Sequence, residues 1–354
     1  MRILIAGACG FVGSTIAKTW RERGAPHTIL GIDSFVRPGS EINRRELRSM
    51  GVAVLHRDIR LASDIDSLPA VDWVIDAAAN PSVVAGVDDR TSSRQLVEHN
   101  LLGTVNILEY CKRHGAGLIL LSTSRTYSIR RLAAIEVQAV NGAFAPCPNQ
   151  RIDGLSAGGV TESFSTEPPL SLYGATKIAS ERLALEYAHA FNFPVRVNRC
   201  GVLAGSGQFG RADQGIFSYW IHSWMVQREL AYIGFDGTGH QVRDCLHPRD
   251  LVSLIETQMA YSGDNEAPVT NVSGGIASAC SLLQVSEWCA DRFGPRTIGT
   301  AGYSRPFDIP WLVLDNSVAR DRWTWSPATS RQDIFEEIAR HAEHNPRWLD
   351  LTND

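Results

Sequence analysis

A glycine-rich turn that directly follows the first apolar run is the feature that most constrains the fold of this chain. Residues 3–5 are apolar and are typical of a strand covered on both faces. Gly7, Gly10 and Gly13 follow at a spacing of three, and residues 14–20 continue with helical character. Glycine lets a chain turn sharply, approach a pyrophosphate with its backbone and pack a helix closely on the strand. The pattern predicts a unit that holds a dinucleotide, although alone it also occurs in ordinary tight turns.

An acidic residue ends the next apolar run and narrows the choice of cofactor. Residues 28–32 predict a second strand, and Asp33 follows about 20 residues after the last glycine. A carboxylate there can accept hydrogen bonds from an adenosine ribose and repels a 2′-phosphate. We therefore expect NAD rather than NADP. The nearby Arg37 keeps NADP open, and a turn-capping role for Asp33 is the structural alternative.

Composition and charge exclude several other classes of protein. The 354-residue chain has a net charge of −4 and no basic stripe, so we expect no nucleic-acid partner. No apolar run approaches the ~20 residues of a membrane span, and residues 3–5 are too short for the core of a signal peptide. The seven scattered cysteines contain no C-x-x-C pair, so we expect neither a disulfide framework nor a metal site. These features predict a cytoplasmic protein without a membrane anchor.

Apolar runs alternate with helix-like segments through the first half of the chain. This alternation predicts an α/β fold with a Rossmann-type, doubly wound parallel sheet. Residues 52–55, 73–76, 118–121 and 195–197 are predicted to be further strands. Ligands of such sheets bind at the carboxyl ends of the strands. Candidate side chains at predicted strand ends are Asp33, Asp58, Ala77, Ala78, Ala79 and Thr123.

Two parts of the chain are expected to share a cleft. Residues 1–200 are predicted to form mainly a dinucleotide-binding domain that includes a catalytic helix. Residues 201–345 are predicted to form mainly a smaller substrate-binding domain, with chain crossovers between the two. Residues 128–169 are rich in proline and glycine and are expected to be an irregular connection with a functional or mobile role.

Tyr173 and Lys177 are four residues apart, which on a helix places both side chains on one face. An ammonium beside a phenol favours the phenolate, so we expect Lys177 to lower the pKa of Tyr173 and allow proton exchange near neutral pH. Thr123, at a predicted strand end, is placed to bind the same substrate oxygen. Tyr-x-x-x-Lys is common by chance, and a surface lysine beside a packed tyrosine is the alternative. Tyr127 is the rival tyrosine but has no lysine at helical spacing.

Together, the glycine turn, Asp33, Thr123 and the Tyr173 and Lys177 pair resemble the extended short-chain dehydrogenase/reductase family over nearly the whole chain. Within that family the chain is most similar to the CDP-paratose 2-epimerases, also called CDP-tyvelose 2-epimerases. The stretches that carry this second likeness are residues 171–177, 198–205, 213–215 and 237–244. The resemblance implies a Rossmann domain with bound NAD, a smaller domain for a nucleotide-diphosphate sugar, a CDP linkage of that sugar, and a homodimer.

The resemblance also implies roles for particular residues. Thr123, Tyr173 and Lys177 would form the catalytic triad. The residues expected to contact NAD are Gly7, Gly10, Phe11, Val12, Gly13, Asp33, Ser34, Arg37, Asp58, Ile59, Ala77, Ala78, Ala79, Asn100, Tyr173 and Lys177. Those expected to contact the nucleotide sugar are Thr123, Asn198, Gln214, Arg243, Arg305 and Asp308. Planar guanidinium groups suit phosphate, which independently supports both arginines, with an ion pair between Arg243 and Asp244 as the alternative.

The chain departs from the family pattern near the predicted site. Ser128 and Asp76 stand where many members have glycine and histidine, and the segment from 128 to 159 is longer than usual. Ser124 and Arg125 stand where dehydratases commonly have an Asp-Glu acid/base pair, which argues against dehydration. The leading hypothesis is an NAD-dependent nucleotide-sugar epimerase that inverts C2 of a CDP-6-deoxyhexose through a keto sugar and hydride return. A 4-epimerase, a 4,6-dehydratase, a 4-reductase and a non-catalytic NAD-binding sensor stay open.

Overall fold

The computed structural model describes residues 1–87, 92–263, 268–303 and 307–352. Its first 127 residues alternate strands and helices, in agreement with the apolar runs. The strands are β1 (Arg2–Ala6), β2 (Thr28–Asp33), β3 (Ala53–His56), β4 (Trp73–Asp76) and β5 (Gly117–Thr123). The helices are α1 (Phe11–Glu22), α2 (Glu41–Ser49), α3 (Ala62–Asp66), α4 (Ser93–Val97) and α5 (Gly103–His114). A π-helical turn (Glu98–Leu102) joins α4 to α5, and a 3₁₀ turn (Ser124–Thr126) follows β5.

The rest of the chain adds two strands to the large sheet and builds several smaller sheets. Up to residue 200 the elements are α6 (Ile129–Ala133), β6 (Val137–Val140), β7 (Ala143–Pro146), β8 (Leu155–Ser156), β9 (Gly159–Val160), α7 (Leu172–Phe191) and β10 (Val195–Cys200). From there to the last strand of the large sheet they are β11 (Val202–Leu203), α8 (Ile216–Met225), β12 (Ala231–Ile233), β13 (Val242–Arg243), β14 (Cys245–Leu246), α9 (Leu251–Ala260) and β15 (Val269–Val272). The last elements are α10 (Gly275–Ser278), β16 (Cys280–Ser281), α11 (Leu282–Phe293), β17 (Gly299–Ala301), β18 (Trp311–Leu312), α12 (Ser317–Trp323) and α13 (Arg331–His344).

Seven parallel strands form the central sheet in the order β15-β10-β5-β4-β1-β2-β3. The chain runs outward from β1 to β3 on one side and then continues from β4 to β15 on the other. The connections after β1 and β4 therefore leave the sheet in opposite directions and open a crevice at the carboxyl ends of these two strands. This topology confirms the predicted Rossmann-type fold. Strand β15, which pairs with β10, has no counterpart among the predicted strands.

Helices cover both faces of the sheet, so its strands are buried on each side. Successive residues of a strand point to opposite faces. Accordingly Ile5 shares a cluster with Trp20 of α1 and Trp323 of α12, whereas Leu4 shares another with Ala184 of α7. Burial on both faces explains why the strands have continuous apolar runs instead of alternating patterns.

Residues 128–169 are not the irregular connection that their proline and glycine content predicted. They form α6 and two antiparallel hairpins, β6–β7 and β8–β9. The Phe144 amide donates to the His240 carbonyl at 2.9 Å, and Val160 forms an isolated bridge with Leu314. The hairpins pack on the C-terminal part of the chain, where their backbone groups find partners that a local pattern does not reveal.

A separate core holds much of the C-terminal part together. Helices α8, α11 and α13 bring Trp220, Val285 and Ile338 into one cluster. Other elements after residue 200 return to the large sheet, since β15 extends it and α9 and α12 cover one face. Across the described ranges, the helices are all too short or too polar to cross a membrane.

Candidate active site

The glycine-rich turn lies against the end of β4, at the crevice of the sheet. Gly7 has a φ of +73°, and a Cβ on it would lie 2.9 Å from the Ala77 carbonyl oxygen and from the Ala78 Cα. A Cβ on Gly13 would lie 2.3 Å from the Gly7 carbonyl oxygen, so α1 packs on the turn only if Gly13 has no side chain. Gly10 is the N-cap residue of α1 and gives the first N–H groups no side-chain cap. A pyrophosphate completes such a helix start in dinucleotide-binding folds.

The Asp33 carboxylate lies beside this turn, in agreement with its position at the carboxyl end of β2. Its Oδ2 accepts a hydrogen bond from the Cys9 amide at 2.9 Å, and its Oδ1 accepts one from the Phe35 amide at 2.8 Å. Burial raises the pKa of the carboxyl, and these backbone hydrogen bonds oppose that rise. The carboxylate has about four acceptor positions, so these backbone contacts leave acceptor capacity for a ribose hydroxyl. Ser34, the next residue, is half-buried.

A loop of residues 205–215 crosses from the C-terminal part to the cofactor side of the crevice. The Arg37 Nη1 donates to Gln214 Oε1 at 2.7 Å, and its Nη2 donates to the Phe209 carbonyl. The Ser82 hydroxyl donates to Asp213 Oδ2 at 2.6 Å. Burial lowers the pKa of Arg37 to about 10. The structure thus joins Arg37 and Gln214, which the resemblance assigned to cofactor and substrate respectively.

The side chain of Phe11 lies against this loop, whereas that of Val12 packs in the interior. A Cβ on Gly205 would lie 3.3 Å from the Phe11 ring, so Phe11 lies beside the beginning of the 205–215 loop. Val12 packs on the core cluster of the sheet. Ala79, beyond the close contact of Gly7 with Ala77, is exposed.

The side chains of Asp58, Ile59 and Asn100 all make contacts within the protein. The Asp58 carboxylate accepts hydrogen bonds from Arg60, which hold its pKa below the ordinary value although burial raises it. Ile59 packs against Gly103, on which a Cβ would lie 2.4 Å from the Ile59 Cδ1.

Asn100 belongs to the π-helical turn between α4 and α5. Its Oδ1 accepts from the Asn80 amide at 2.8 Å, and its Nδ2 donates to Thr176 Oγ1 at 3.2 Å. The side chain therefore ties the connection after β4 to α7, the helix that carries Tyr173 and Lys177. Short π-helical turns recur at functional sites, because they re-aim one side chain within a helix.

Thr123, Tyr173 and Lys177 come together where β5 ends and α7 begins. The Thr123 hydroxyl acts on the Tyr173 phenol and favours its ionised form. Tyr173 lies in the first turn of α7, whose N-cap Ser171 accepts a hydrogen bond from the Gly174 amide at 3.0 Å. Lys177 is only 3% exposed, so it is not the surface lysine that the structural alternative required.

The electrostatics of this group differ from the expectation. Burial raises the pKa of Tyr173 to about 12, opposed by the Thr123 hydrogen bond and the positive charge of Arg125. Lys177 was expected to supply that charge. Instead burial lowers the pKa of Lys177, and the carboxylates of Asp76 and Glu181 oppose this effect. Among the described residues, the cation that acts on the phenol is therefore Arg125.

Tyr127, the rival tyrosine, is part of the interior. It is fully buried, and its hydroxyl donates to Asn271 Oδ1 at 2.6 Å. Burial raises its pKa to about 12. The Arg199 guanidinium lies over its ring, 5.0 Å from the centroid. A phenol with these contacts holds elements together and is not placed to meet a substrate.

The predicted substrate residues have mixed outcomes. Arg243 forms an ion pair with Asp308, with Nη2 and Oδ1 3.6 Å apart. Asp244 instead accepts a hydrogen bond from the Leu314 amide, and burial raises its pKa to about 6. Arg305 lies outside the described residues.

Asn198 is not placed for the expected contact with a nucleotide. It is fully buried, and its amide exchanges two hydrogen bonds with Gln258, at 2.9 and 2.8 Å. An amide paired in this way satisfies a polar group within the core between β10 and α9. The expectation failed because a partner 60 residues away leaves no local signal.

Sequence reasoning also missed residues that support the site. Arg125 was considered only as a departure from the dehydratase pattern, and Asp76 only as a replacement for histidine. Burial raises the pKa of Asp76, whereas the positive charge of Lys177 opposes that rise. Glu181, one turn beyond Lys177 on α7, pairs with Arg199 at 2.7 Å. The helical spacing from Lys177 to Glu181 was the available signal for this last residue.

Comparisons with known proteins agree with this arrangement. The family model described as "NAD dependent epimerase/dehydratase family" matches residues 3–272. CDP-paratose 2-epimerase of Salmonella typhi is 27% identical over 351 residues, which cover 96% of this chain and 98% of that protein. UDP-glucose 4-epimerase of Thermotoga maritima, solved with UDP-glucose, has a TM-score of 0.78 at 19% identity, with 98% and 99% of the two chains covered. UDP-glucuronic acid 4-epimerase of Bacillus cereus, solved with UDP-glucuronic acid and NAD, has a TM-score of 0.77 at 23% identity, with 97% and 99% covered.

Proposed function

The chain belongs to the NAD dependent epimerase/dehydratase family, and on that premise we propose that it is a nucleotide-sugar epimerase that inverts C2 of a CDP-6-deoxyhexose. NAD is the cofactor of the family. The uncapped start of α1, the close contact of Gly7 with Ala77 and the Asp33 carboxylate fit its pyrophosphate and adenosine ribose. When bound there, NAD would supply the hydride chemistry, which is removal of a hydride from the sugar carbon and its return to the opposite face.

The observation that carries the proposal is the junction of β5 and α7, where Gly174 packs against the Arg125 carbonyl and the Thr123 hydroxyl acts on the Tyr173 phenol. Strand β5 lies next to β4, which lies next to β1 and its glycine turn. Thr123 holds the oxygen of the substrate hydroxyl while Tyr173 takes its proton. Arg125 supplies the positive charge that acts on the phenol, and Lys177 lies on the same helix face as Tyr173. Tyr173 returns the proton when the keto sugar, after turning over, is reduced.

Epimerisation fits the residues around this pair better than dehydration does. Elimination of water needs an acid and a base beside the reacting carbons. Ser124 and Arg125 follow Thr123 at the place where such a pair would be needed. A serine hydroxyl and a permanently charged guanidinium cannot supply both functions near neutral pH.

The finer assignments rest on the resemblance to CDP-paratose 2-epimerases and on the likeness to the Salmonella typhi enzyme along the chain. They include the C2 centre, the CDP linkage, the division into a domain of residues 1–200 and a smaller one of residues 201–345, a homodimer and a cytoplasmic location. Arg243 and Asp308 would hold the diphosphate and the nucleotide ribose, with Arg305 on the phosphate as well. Analytical ultracentrifugation tests the dimer directly.

The function is tested by incubating the purified holoenzyme with CDP-, UDP-, GDP- and dTDP-sugars and following each by proton NMR in deuterated buffer. We expect two CDP-sugar epimers to interconvert without net NADH, and the product to carry no deuterium because the hydride returns directly. Deuterium in the product would indicate a dehydration route instead.

The reacting carbon is tested with substrates deuterated at single positions. Deuterium at C2 should slow kcat/KM through a primary isotope effect, and deuterium at C4 should not. The reverse result would identify a 4-epimerase. Tyr173→Phe should bind NAD and abolish turnover, and a variant as active as the parent enzyme would disprove the assigned base.

A further inference from the structure

Arg125 is fixed between the two catalytic elements of the site. It follows Thr123 by two residues in the 3₁₀ turn after β5, and its backbone N–H donates to Thr123 Oγ1 at 3.2 Å. On its other side, a Cβ on Gly174 would lie 2.2 Å from the Arg125 carbonyl oxygen. Because α7 packs directly on this carbonyl, the backbone of Arg125 is held in place relative to both Thr123 and the first turn of α7, which carries Tyr173.

The guanidinium of Arg125 lies between the reacting end of the site and the residues assigned to the diphosphate. It interacts electrostatically with Tyr173 and with Asp308, both of which oppose the lowering of its pKa by burial. Its Nη1 lies 3.4 Å from the Phe307 carbonyl oxygen, next to Asp308 in the chain. Asp308 is in turn 3.6 Å from Arg243. The order Tyr173, Arg125, Asp308, Arg243 therefore runs from the catalytic phenol to the proposed diphosphate contact.

We propose that Arg125 binds the β-phosphate of the nucleotide sugar and holds it beside Tyr173. The inference rests on the proposed function. When a sugar hydroxyl meets Tyr173 and the diphosphate meets Arg243, the group between them is the linkage from the anomeric carbon to the β-phosphate. A guanidinium is always charged and presents a fork of N–H donors that suits phosphate oxygens.

This contact has a consequence for the position of the reaction. C2 is bonded to the anomeric carbon, whereas C4 lies across the hexose ring from it. A cation that reaches both the phenol and the β-phosphate favours a sugar whose reacting carbon is next to the anomeric centre. The same charge acts on Tyr173, so the residue couples phosphate binding to the proton-transfer group.

The test compares nucleotide mono- and diphosphates, which bind without turnover. Calorimetry on the NAD-loaded enzyme measures Kd for CMP and CDP, and for the matching uridine, guanosine and thymidine pairs. We expect Arg125→Met to weaken binding of the preferred diphosphate by about tenfold and to leave its monophosphate unchanged. Arg125→Lys should lie between the two, since it keeps the charge but loses the fork. Arg130→Met, a change at an exposed arginine of α6, is the matched control and should alter neither value.

The possible results separate the proposed function from the role of Arg125. A wild-type holoenzyme that binds no diphosphate more tightly than its monophosphate overturns the nucleotide-sugar function and Arg125 with it. A wild-type preference that Arg125→Met retains in full overturns the role of Arg125 alone. Equal losses for monophosphate and diphosphate also overturn it. In turnover, the acidic limb of the kcat/KM profile, which reports ionisation of the Tyr173 base, should move to higher pH in Arg125→Met, which a purely structural role would not cause.

Discussion

The buried ion pair between Glu181 and Arg199 offers a direct test of how the catalytic helix is held in place. Glu181 lies one turn beyond Lys177 on α7, and Arg199 lies on β10 next to β5. The Arg199 Nη2 is 2.7 Å from Glu181 Oε2, and its Nε is 3.1 Å from both carboxylate oxygens. The two side chains are 6% and 1% exposed, so water screens neither charge.

Glu181→Gln keeps the volume of the side chain but leaves the Arg199 cation buried without its counter-charge. Breaking a buried pair in this way costs about 3–5 kcal/mol of unfolding free energy. The double variant Glu181→Met with Arg199→Met removes both charges, and such apolar replacements are often close to neutral. The main loss in the double variant comes from the Ser122 hydroxyl, which no longer has Glu181 as its hydrogen-bond acceptor. An unpaired buried hydroxyl of this kind costs about 1–3 kcal/mol of unfolding free energy. We expect the double variant to be more stable than Glu181→Gln by about 2 kcal/mol.

Urea unfolding followed by tryptophan fluorescence measures these free energies, since nine tryptophans report on the transition. Asp66→Asn is the control, because its pair with Arg113 is 2.5 Å long but 50% and 45% exposed. An exposed pair of this kind contributes about 0.2–1 kcal/mol. A loss in Glu181→Gln no larger than in Asp66→Asn would refute the reasoning. The reasoning would also be refuted if the double variant lost as much unfolding free energy as Glu181→Met and Arg199→Met lose together as single variants.

Other perturbations test the site and the C-terminal core. Asp33→Ala should weaken NAD binding by about tenfold to a hundredfold, because a charge-assisted hydrogen bond to the ribose is lost; an unchanged Kd in calorimetry contradicts that contact. Arg243→Ala should raise KM for the nucleotide sugar by about tenfold at unchanged kcat and melting temperature, and an unaltered KM excludes the phosphate contact. The imidazoles of His222 and His341 lie together, with Nε2 of the first 3.3 Å from Nδ1 of the second. Burial lowers their pKa values from 6.5 to about 3 for His222 and about 4 for His341. Below pH 6.5 the unfolded chain therefore binds more protons, and the unfolding free energy should fall by at most about 1.4 kcal/mol per pH unit and histidine as pH drops toward 4. Denaturation at pH 7 and 5.5 should show that His222→Gln flattens this slope, and an equal slope in both proteins would contradict it.

Local spacing predicted the parts of the site that lie within one element. The three glycines and the Tyr173 and Lys177 pair depend on the geometry of one turn and one helix, so their spacing alone indicates their placement. Asp33 could be predicted because the end of a parallel strand is a fixed place in a doubly wound sheet. The sheet itself followed from continuous apolar runs.

Contacts between distant elements could not be predicted in the same way. Asn198 was assigned to the nucleotide, but the structure pairs it with Gln258 in the core. For Arg243, which was expected to hold the diphosphate, the structural alternative was an ion pair with its neighbour Asp244, whereas the structure places it beside Asp308. The positive charge that acts on Tyr173 comes from Arg125 and not from Lys177. The surroundings of Lys177 depend on Asp76 of β4 and Glu181 of α7, which the spacing of Tyr173 and Lys177 does not reveal.

The return of the chain to the large sheet after residue 200 determines when the dinucleotide-binding half can become stable. Strand β15 completes the edge beside β10, and Trp323 of α12 fills the face that also holds Trp20. A nascent chain that has emerged only as far as residue 200 would present β10 as an open edge and an uncovered apolar face. We expect stable folding of this half to wait until α12 has left the ribosome. Until then, the exposed strand and tryptophans are surfaces that a chaperone would cover.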